Sequence, residues 1–304
     1  MRICSFFSSA TELLYALGAG RSVVGRSERC DYPLSVQRKP VVVRSCIASE
    51  RLSSRGIDEA VQAMRRRGAH QYEIDGSLLK RLHPDVVVTQ ELCNVCAASH
   101  PEVLEAVQRL PTRPRVVSVT ARRFDELFDA IKVLGEATGR SKAASALSAR
   151  LHREVRAIQR RIPGVQAKPR VWCAEWLDPL MAAGHWIPEL VATGGGVDGL
   201  GRAGGDSVRI PWEDVKAYDP EVILVMPCSF SIERTVKESP LLTRFPGWSS
   251  VSAVKTGRVF AVAGALFHRP GPRLVQGLKL MAALFHPDRF PKPPAAYATA
   301  LTCR

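Results

Sequence analysis

The sequence predicts an α/β chain: two similar α/β lobes with parallel-rich sheets, joined by a single long backbone helix, with a ligand cleft between the lobes. Three observations carry this reading. Short, β-branched apolar runs bounded by turn residues alternate with helical stripes, as parallel strands buried on both faces require. Three segments of the first half recur in the second. One uninterrupted helical stretch, with no Gly/Ser-rich linker, stands between the copies. The 304 residues, 46% of them apolar, suffice for two cores.

The elements follow in order. "RICSFFSSATELLYALGAG" (2–20) reads as a strand, a Ser/Thr turn and a helix. Ser8 or Ser9 is placed to cap a helix beginning near Thr11, with Glu12 in its first turn. That helix N-terminus also points spare N–H groups at any ligand beside it. "RVWCAEWLDPLMAAGHWIPELVATGGG" (170–196) repeats the plan. "LLKRLHPDVVVTQELC" (78–93) matches "WEDVKAYDPEVILVMPC" (212–228): a short helix, an acid beside a proline, a buried strand, a cysteine. "PRVVSVT" (114–120) pairs with "GRVFAVA" (257–263).

Between the copies, Phe124, Leu127, Phe128, Ile131 and Leu134 form one helical stripe, which Gly139 ends. Ser141 opens the next, carried by Leu147, Leu151, Val155 and Ile158 and stopped at Pro163-Gly164. A helix of about 20 residues is on the order of 30 Å long and resists hinge bending. The expected domains are therefore 1–120, an N-terminal α/β lobe; 121–163, connecting helices including the rigid inter-lobe helix; and 164–290, a C-terminal α/β lobe. The Pro/Ala-rich tail 291–304 is expected to be disordered.

Composition removes several function classes. The net charge of +14 is spread out, its densest cluster being "MRRRG" at 64–68, and no helix-turn-helix, zinc finger or aromatic RNA-binding signature accompanies it. A diffusely basic surface suits an anionic ligand or partner better than nucleic acid. No apolar run reaches 18 residues, so no membrane span is expected. Neither a secretory signal nor a lipobox precedes the first strand, so the sequence as written is expected to stay in the cytoplasm. A start codon further upstream would make it periplasmic or extracellular instead. G-x-S-x-G, H-E-x-x-H and Walker motifs are missing, which favours binding over catalysis, with no catalytic residue to name. "TGGGVDGLGRAGG" follows a helix and reads as a loop, not a dinucleotide fingerprint.

In parallel sheets ligands bind beyond the C-terminal strand ends. The segments there are "FSSATE" (7–12), "SERCDYP" (27–33) and "TQELCNVC" (89–96), then "AEWLDPLMAAGHW" (174–186), "PCSFSIE" (227–233) and "GALFHRPGPR" (264–273). Trp176, His185 and Trp186 suit a large flat ligand, stacked by aromatics and approached by an imidazole, with plain core packing as the alternative. Phe267, His268 and Arg269 add to this set. Eight cysteines occur, and Cys93 and Cys96 form a Cys-x-x-Cys pair, with Cys30 and Cys46 as possible companions. Three readings of them stand open: pocket wall or core, metal or cluster ligands, and a redox pair.

Taken together, "FSSATELLYALG", "RCDYP", "HPDVVVTQELCNVCA", "IPWEDVKAYDPEVILVMPCSF" and "FHRPGPRLVQGL" resemble the substrate-binding proteins of ABC importers for vitamin B12 and ferric siderophores. The closer resemblance is to the cobalamin-binding-protein-like branch that carries the cysteine-bearing segments, and it runs from Met1 to about Phe290. It implies two α/β lobes on one backbone helix, with a metal chelate held between them and delivered to an ABC permease. It also implies ligand contacts at Ser8, Ser9, Thr11, Tyr32, Gln90, Trp176, Trp186, Phe230 and Phe267. Importer-dependent members are secreted or lipid-anchored, which the sequence as written does not lead one to expect here. Members dock the permease through one acid on each lobe, and no residue here is assigned to that role.

Two hypotheses result. The first is a monomeric, non-catalytic binder of cobalamin or a related metal chelate, with His185 or His268 approaching the metal and Arg269 among the arginines meeting anionic groups. The second is a cytosolic metal- or cluster-binding or redox protein using Cys30, Cys93, Cys96 and Cys46.

Overall fold

A computed structural model describes residues 1–92, 98, 100–162 and 168–302. The chain divides into two compact units. The first contains Met1–Leu52, Glu59–Ala121 and Asp125–Leu151; the second contains Ser53–Asp58, Arg122–Phe124 and the chain from His152 on. Two short pieces of the N-terminal half thus belong with the second unit, which the expected boundaries did not anticipate.

The sheet of the first unit has the order β4-β3-β2-β1-β5-β6, from strands β1 (Ile3–Ser5), β2 (Val23–Ser27), β3 (Val41–Ser45), β4 (Tyr72–Ile74), β5 (Val86–Thr89) and β6 (Arg115–Ser118). Its neighbours are parallel except for edge strand β4. The helices are α1 (Ser8–Ala16), α2 (Ser54–Arg66), α3 (Gly76–Leu82), α4 (His100–Gln108) and α5 (Glu126–Ala137). The expected long helix is α6 (Ser141–Gln159), whose residues from His152 belong to the second unit.

The second unit contains β7 (Arg170–Leu177), β8 (Leu180–Ala182), β9 (Gly184–His185), β10 (Val197–Asp198), β11 (Arg202–Ala203), β12 (Val208–Arg209), β13 (Val222–Val225), β14 (Val259–Val262) and β15 (Ala298–Ala300). The order β12-β8-β7-β13-β14-β15 has a parallel centre, β7-β13-β14, with antiparallel strands on either side. Strand β10 pairs the start of β7, and β9 with β11 makes a small separate ladder. Helices α7 (Ile187–Thr193), α8 (Trp212–Tyr218), α9 (Ile232–Glu238), α10 (Ser252–Lys255) and α11 (Leu274–Phe285) complete it. The mixed α/β class and its parallel-rich sheets are as the sequence predicted. Among the described residues no helix is long and apolar enough to cross a membrane.

The internal repeat extends to individual hydrogen bonds. Helices α3 and α8 each run seven residues and end on a left-handed non-glycine residue, His83 (φ 42°) and Asp219 (φ 47°). Asp and His are among the few residues that tolerate this region. A proline follows each, then an acid, then a four-residue strand buried throughout. In the first unit Arg2 Nε donates to Leu82 O (2.7 Å) and Arg2 N to Asp85 Oδ2 (2.7 Å). In the second, Arg170 Nε donates to Asp219 O (2.9 Å) and Arg170 N to Glu221 Oε2 (2.9 Å). Each arginine satisfies a carbonyl that a helix end leaves without an intrahelical partner. The clasp locks strand start to helix end in both units.

Three local expectations are corrected. Helix α1 starts at Ser8, three residues early, with extended Phe7 (φ −152°) as its N-cap, so neither serine caps a helix beginning at Thr11. The second copy of strand–turn–helix is interrupted by the β7–β8 hairpin. Up to residue 302, the last described, the tail is ordered: β15 pairs antiparallel with β14, and Leu301 is buried among Trp248, Val259 and their neighbours. Its alternating "ATA" run supplies an edge strand where composition alone suggested a loose end.

Leu301→Ala is expected to cost about 2 kcal/mol or more in urea unfolding, the usual penalty for emptying a buried leucine site. An unchanged midpoint would show that β15 does not belong to the fold. Asp219 accepts from Ser252 N (2.8 Å) and Ser252 Oγ (2.6 Å), and these bonds hold its carboxyl below the usual range. That stabilisation is complete above the ordinary carboxylate pKa and is lost as the pH falls through the lowered one. Asp219→Ala should therefore cost about 1–2 kcal/mol at pH 7 through cap loss and left-handed strain. Asp219→Asn should cost less, and its gap to wild type should close in acid, both read from denaturation midpoints.

Candidate functional site

The C-terminal ends of the parallel strands carry the polar and aromatic loops in each unit, and the two units fill this edge differently. In the first, Ser8 Oγ donates to Arg29 O (2.5 Å), tying the loop after β2 to the first turn of α1. Thr11 Oγ1 lies 2.8 Å from Ser5 Oγ and 3.0 Å from Cys30 Sγ. Thr11 and Cys30 are fully buried and Ser9 and Gln90 nearly so, with Gln90 Oε1 accepting from Leu92 N. The early start of α1 is the cause: it turns Thr11 onto the sheet instead of leaving it at the rim. In this unit Ser8 is part-buried, and Tyr32 is exposed.

In the second unit Trp176 leaves the end of β7 half-buried, its Nε1 donating to Ser54 O (3.1 Å). Its ring meets Phe230 at 5.3 Å between centroids, and the Arg234 guanidinium lies 3.7 Å above the Phe230 ring. Arg234 in turn reaches Glu238 Oε1 (3.1 Å), whose Oε2 accepts from Ser54 N (3.0 Å). A tryptophan tilted 59° against a phenylalanine, and an arginine over that second ring, thus form one cluster held at both ends by the Ser54 backbone. The spacing Phe230, Arg234, Glu238 advances four residues at a time from just before α9 to its last residue, a signal that the sequence contained and the motif reading passed over.

Trp186 and Phe267 are interior. Phe267 is fully buried, and Trp186 Nε1 donates to the Phe267 carbonyl (2.6 Å). Both side chains are therefore enclosed within the unit, with the indole N–H committed to a backbone carbonyl. His268 is also largely enclosed, with Nε2 on Met226 O and Nδ1 3.9 Å from Glu175 Oε1. Glu175 Oε2 accepts from Ser207 Oγ (2.6 Å), which binds the glycine-rich loop to the same carboxylate. His185 sits at φ 53° beneath that loop, its Nε2 3.4 Å from Asp206 Oδ1. Gly204 N donates to His185 O (2.8 Å), and Gly184 admits no Cβ because Gly205 O would lie 2.5 Å away. Arg269 is half-buried on the surface of this unit.

The cysteine hypothesis gains nothing here. Cys93 and Cys96 lie outside the described residues. Cys30 is spent on Thr11, and Cys46 is exposed with its thiol pushed up, first by partial burial and then by Glu73, Glu102 and Glu28. A raised thiol pKa disfavours the thiolate that metals and redox partners need. Burial likewise pushes Cys4 up to about 12. Among the described residues no three His, Cys, Asp or Glu side chains are grouped to hold a metal ion.

Comparison with known proteins follows the same outline. The family model described as periplasmic binding protein matches residues 3–265. The chain belongs to the periplasmic binding protein family. Members of it bind and do not catalyse. A relative is the uncharacterized ABC transporter substrate-binding lipoprotein YvrC of Bacillus subtilis, 24% identical over 297 residues, covering 95% of this chain and 81% of YvrC. A periplasmic heme-binding protein from Pseudomonas aeruginosa superposes with a TM-score of 0.74 at 21% identity, covering 98% of this chain and 97% of the other. The periplasmic vitamin B12-binding protein BtuF of Vibrio cholerae gives 0.67 at 19% identity, over 93% and 96% of the two chains. These structural likenesses show a shared fold.

In this periplasmic binding protein the His185 ring has its pKa lowered, chiefly by burial, although Glu175 and Asp206 pull it up and Arg122 pushes it down further. The folded state therefore resists a proton that the unfolded chain takes up below about pH 6.5. Stability contributed by neutral His185 is intact above that pH and declines as the pH falls. Denaturant midpoints should drop as the pH falls below about 6.5, and His185→Gln should flatten that drop. An identical slope in the variant would remove His185 from the account.

Proposed function

We propose that this protein binds a metal chelate of the corrinoid, heme or ferric-siderophore type without transforming it, and passes it to an ABC permease. The observation that carries the reading is the Trp176–Phe230–Arg234 cluster at the C-terminal edge of β7 and β13, with the two rings tilted by 59° and the cation over Phe230. A partly exposed indole, fixed through its Nε1 and leaning on a second ring, has little freedom to lose on binding. The net charge of +14 adds long-range attraction for ligands that carry carboxylates or phosphates. Family membership supports the binding role, and relatives named for heme, vitamin B12 and ABC transport support the ligand class and the permease. In the same unit Arg269 is a further sequence-assigned residue with part of its surface accessible.

Absorbance and calorimetric titrations with hemin, cyanocobalamin and a ferric hydroxamate siderophore test this. One of the three is expected to saturate a single site with a Kd of about 1 μM or tighter. Trp176→Ala should raise that Kd about tenfold, and Trp176→Phe should restore most of it by keeping an aromatic face. The proposal fails if none of the three binds at tens of micromolar.

A further inference from the structure

The long helix α6 carries charge that its own stability does not explain. Its buried stripe is Ala144, Leu147, Leu151 and Ile158. With about 3.6 residues per turn, Lys142, Arg153, Arg156 and Arg160 fall on the side directly opposite. All four are exposed. The exposed residues beside them include Ala146, Ala149 and Ala157, so no bulky apolar or aromatic side chain stands on this line.

Two ordinary accounts of such a row fall short. Cations at a helix C-terminus complement the dipole, which covers Arg156 and Arg160. Arg153 stands before the last turn, and Lys142 sits in the first turn, where the dipole opposes a cation and no acid offsets it. Ion pairing is the other account. Among the described residues none of the four forms a side-chain ion pair or hydrogen bond. Other arginines of the second unit do: Arg55 meets Asp178, Arg209 meets Asp58 and Arg234 meets Glu238. Arg153 with Arg156, and Arg156 with Arg160, are moreover like charges three and four residues apart, a spacing that weakens a helix. The fold thus carries a cationic row at a cost to itself.

We infer that Arg153, Arg156 and Arg160 form a docking surface for an anionic lipid bilayer, meeting headgroup phosphates at the membrane plane. The partner has to contribute charge, because the row has no apolar centre of the kind around which protein interfaces are built. A single nucleic-acid strand would want aromatic side chains for its bases. A duplex groove would close around the flanks of the helix and bring phosphates toward Glu154, whereas α6, seated along its opposite side, offers only one line. A straight row on one side of a helix matches a plane of headgroups, each cation near the surface adding to the attraction. The choice of a bilayer rests on the hand-off to a permease proposed above, which brings the protein to a membrane.

The test is co-sedimentation of the full chain at about 0.1 M salt with phosphatidylcholine vesicles that contain or lack about 30% phosphatidylglycerol. Wild type is expected to bind the anionic vesicles, to ignore the neutral ones and to be released as salt rises. The triple variant Arg153→Gln/Arg156→Gln/Arg160→Gln should weaken that binding about tenfold or more. A second variant, Arg65→Gln/Arg66→Gln/Arg67→Gln, removes equal charge from the exposed end of α2 and should stay within about twofold. The first variant should melt at or above the wild-type temperature, because two like-charge pairs are gone. The inference is overturned if wild type ignores anionic vesicles, if it binds neutral ones equally well, or if both variants lose binding alike, which assigns the attraction to net charge. A lower melting temperature in the first variant overturns it by giving the arginines a structural role. Tighter binding to duplex DNA that the same variant abolishes assigns the row to nucleic acid instead. Release by inorganic phosphate at matched ionic strength reduces it to a small-anion site. Hemin and cyanocobalamin titrations without vesicles report the chelate reading separately, so either reading can fail alone.

Discussion

Burial of the central strands on both faces is the constraint from which the rest of this structure follows. Every residue of Val86–Thr89 and of Val222–Val225 is buried. A strand in that position has its backbone groups committed to the ladder and almost no tolerance for polar side chains. Chemistry is therefore driven to the strand ends. One of the two ends is then closed in each unit by the same device. An arginine at the strand start donates to a helix-end carbonyl, and an acid after the proline accepts that arginine's backbone N–H. The opposite, C-terminal edge is left for loops of free composition.

The two units use that freedom differently, and the difference separates residues that brace the edge from residues that face outward. In the first unit Ser5, Thr11 and Cys30 are drawn inside, where they satisfy one another. In the second, Glu175 serves Ser207 and faces His268, and Trp186 locks onto Phe267. These groups give rigidity to the loops. Tyr32, Leu34, Trp176 and Arg269 are left with accessible surface. A binding protein gains from this division, because affinity depends on what is already ordered when the ligand arrives.

Much of this was legible before folding. The repeat of helix, acid, proline and strand predicted α3–β5 and α8–β13, because periodicity and turn chemistry act locally. The long stripe from Ser141 predicted α6 for the same reason. Roles within the loops were less legible. Trp186 and Phe267 have the composition of a ligand-stacking pair, yet both are buried, and the indole N–H is committed to the Phe267 carbonyl 81 positions away. Thr11 reads as a rim residue until the start of α1 moves to Ser8. The tail lacks any strong signal, and only pairing with β14 makes "ATA" a strand.

By itself the sequence determined the class of fold, the duplication, the long helix and the segments that gather at the strand ends. Those features depend on hydrophobic period and on turn residues, which need no distant partner. Only the tertiary structure decided which of the gathered side chains are buried against each other and which remain open. That choice depends on contacts such as Arg26 with Lys39 O, Trp176 with Ser54 O and Trp186 with Phe267 O. The last two join residues more than 80 positions apart in the chain. No local pattern encodes such a meeting, because burial belongs to the pair and not to either residue.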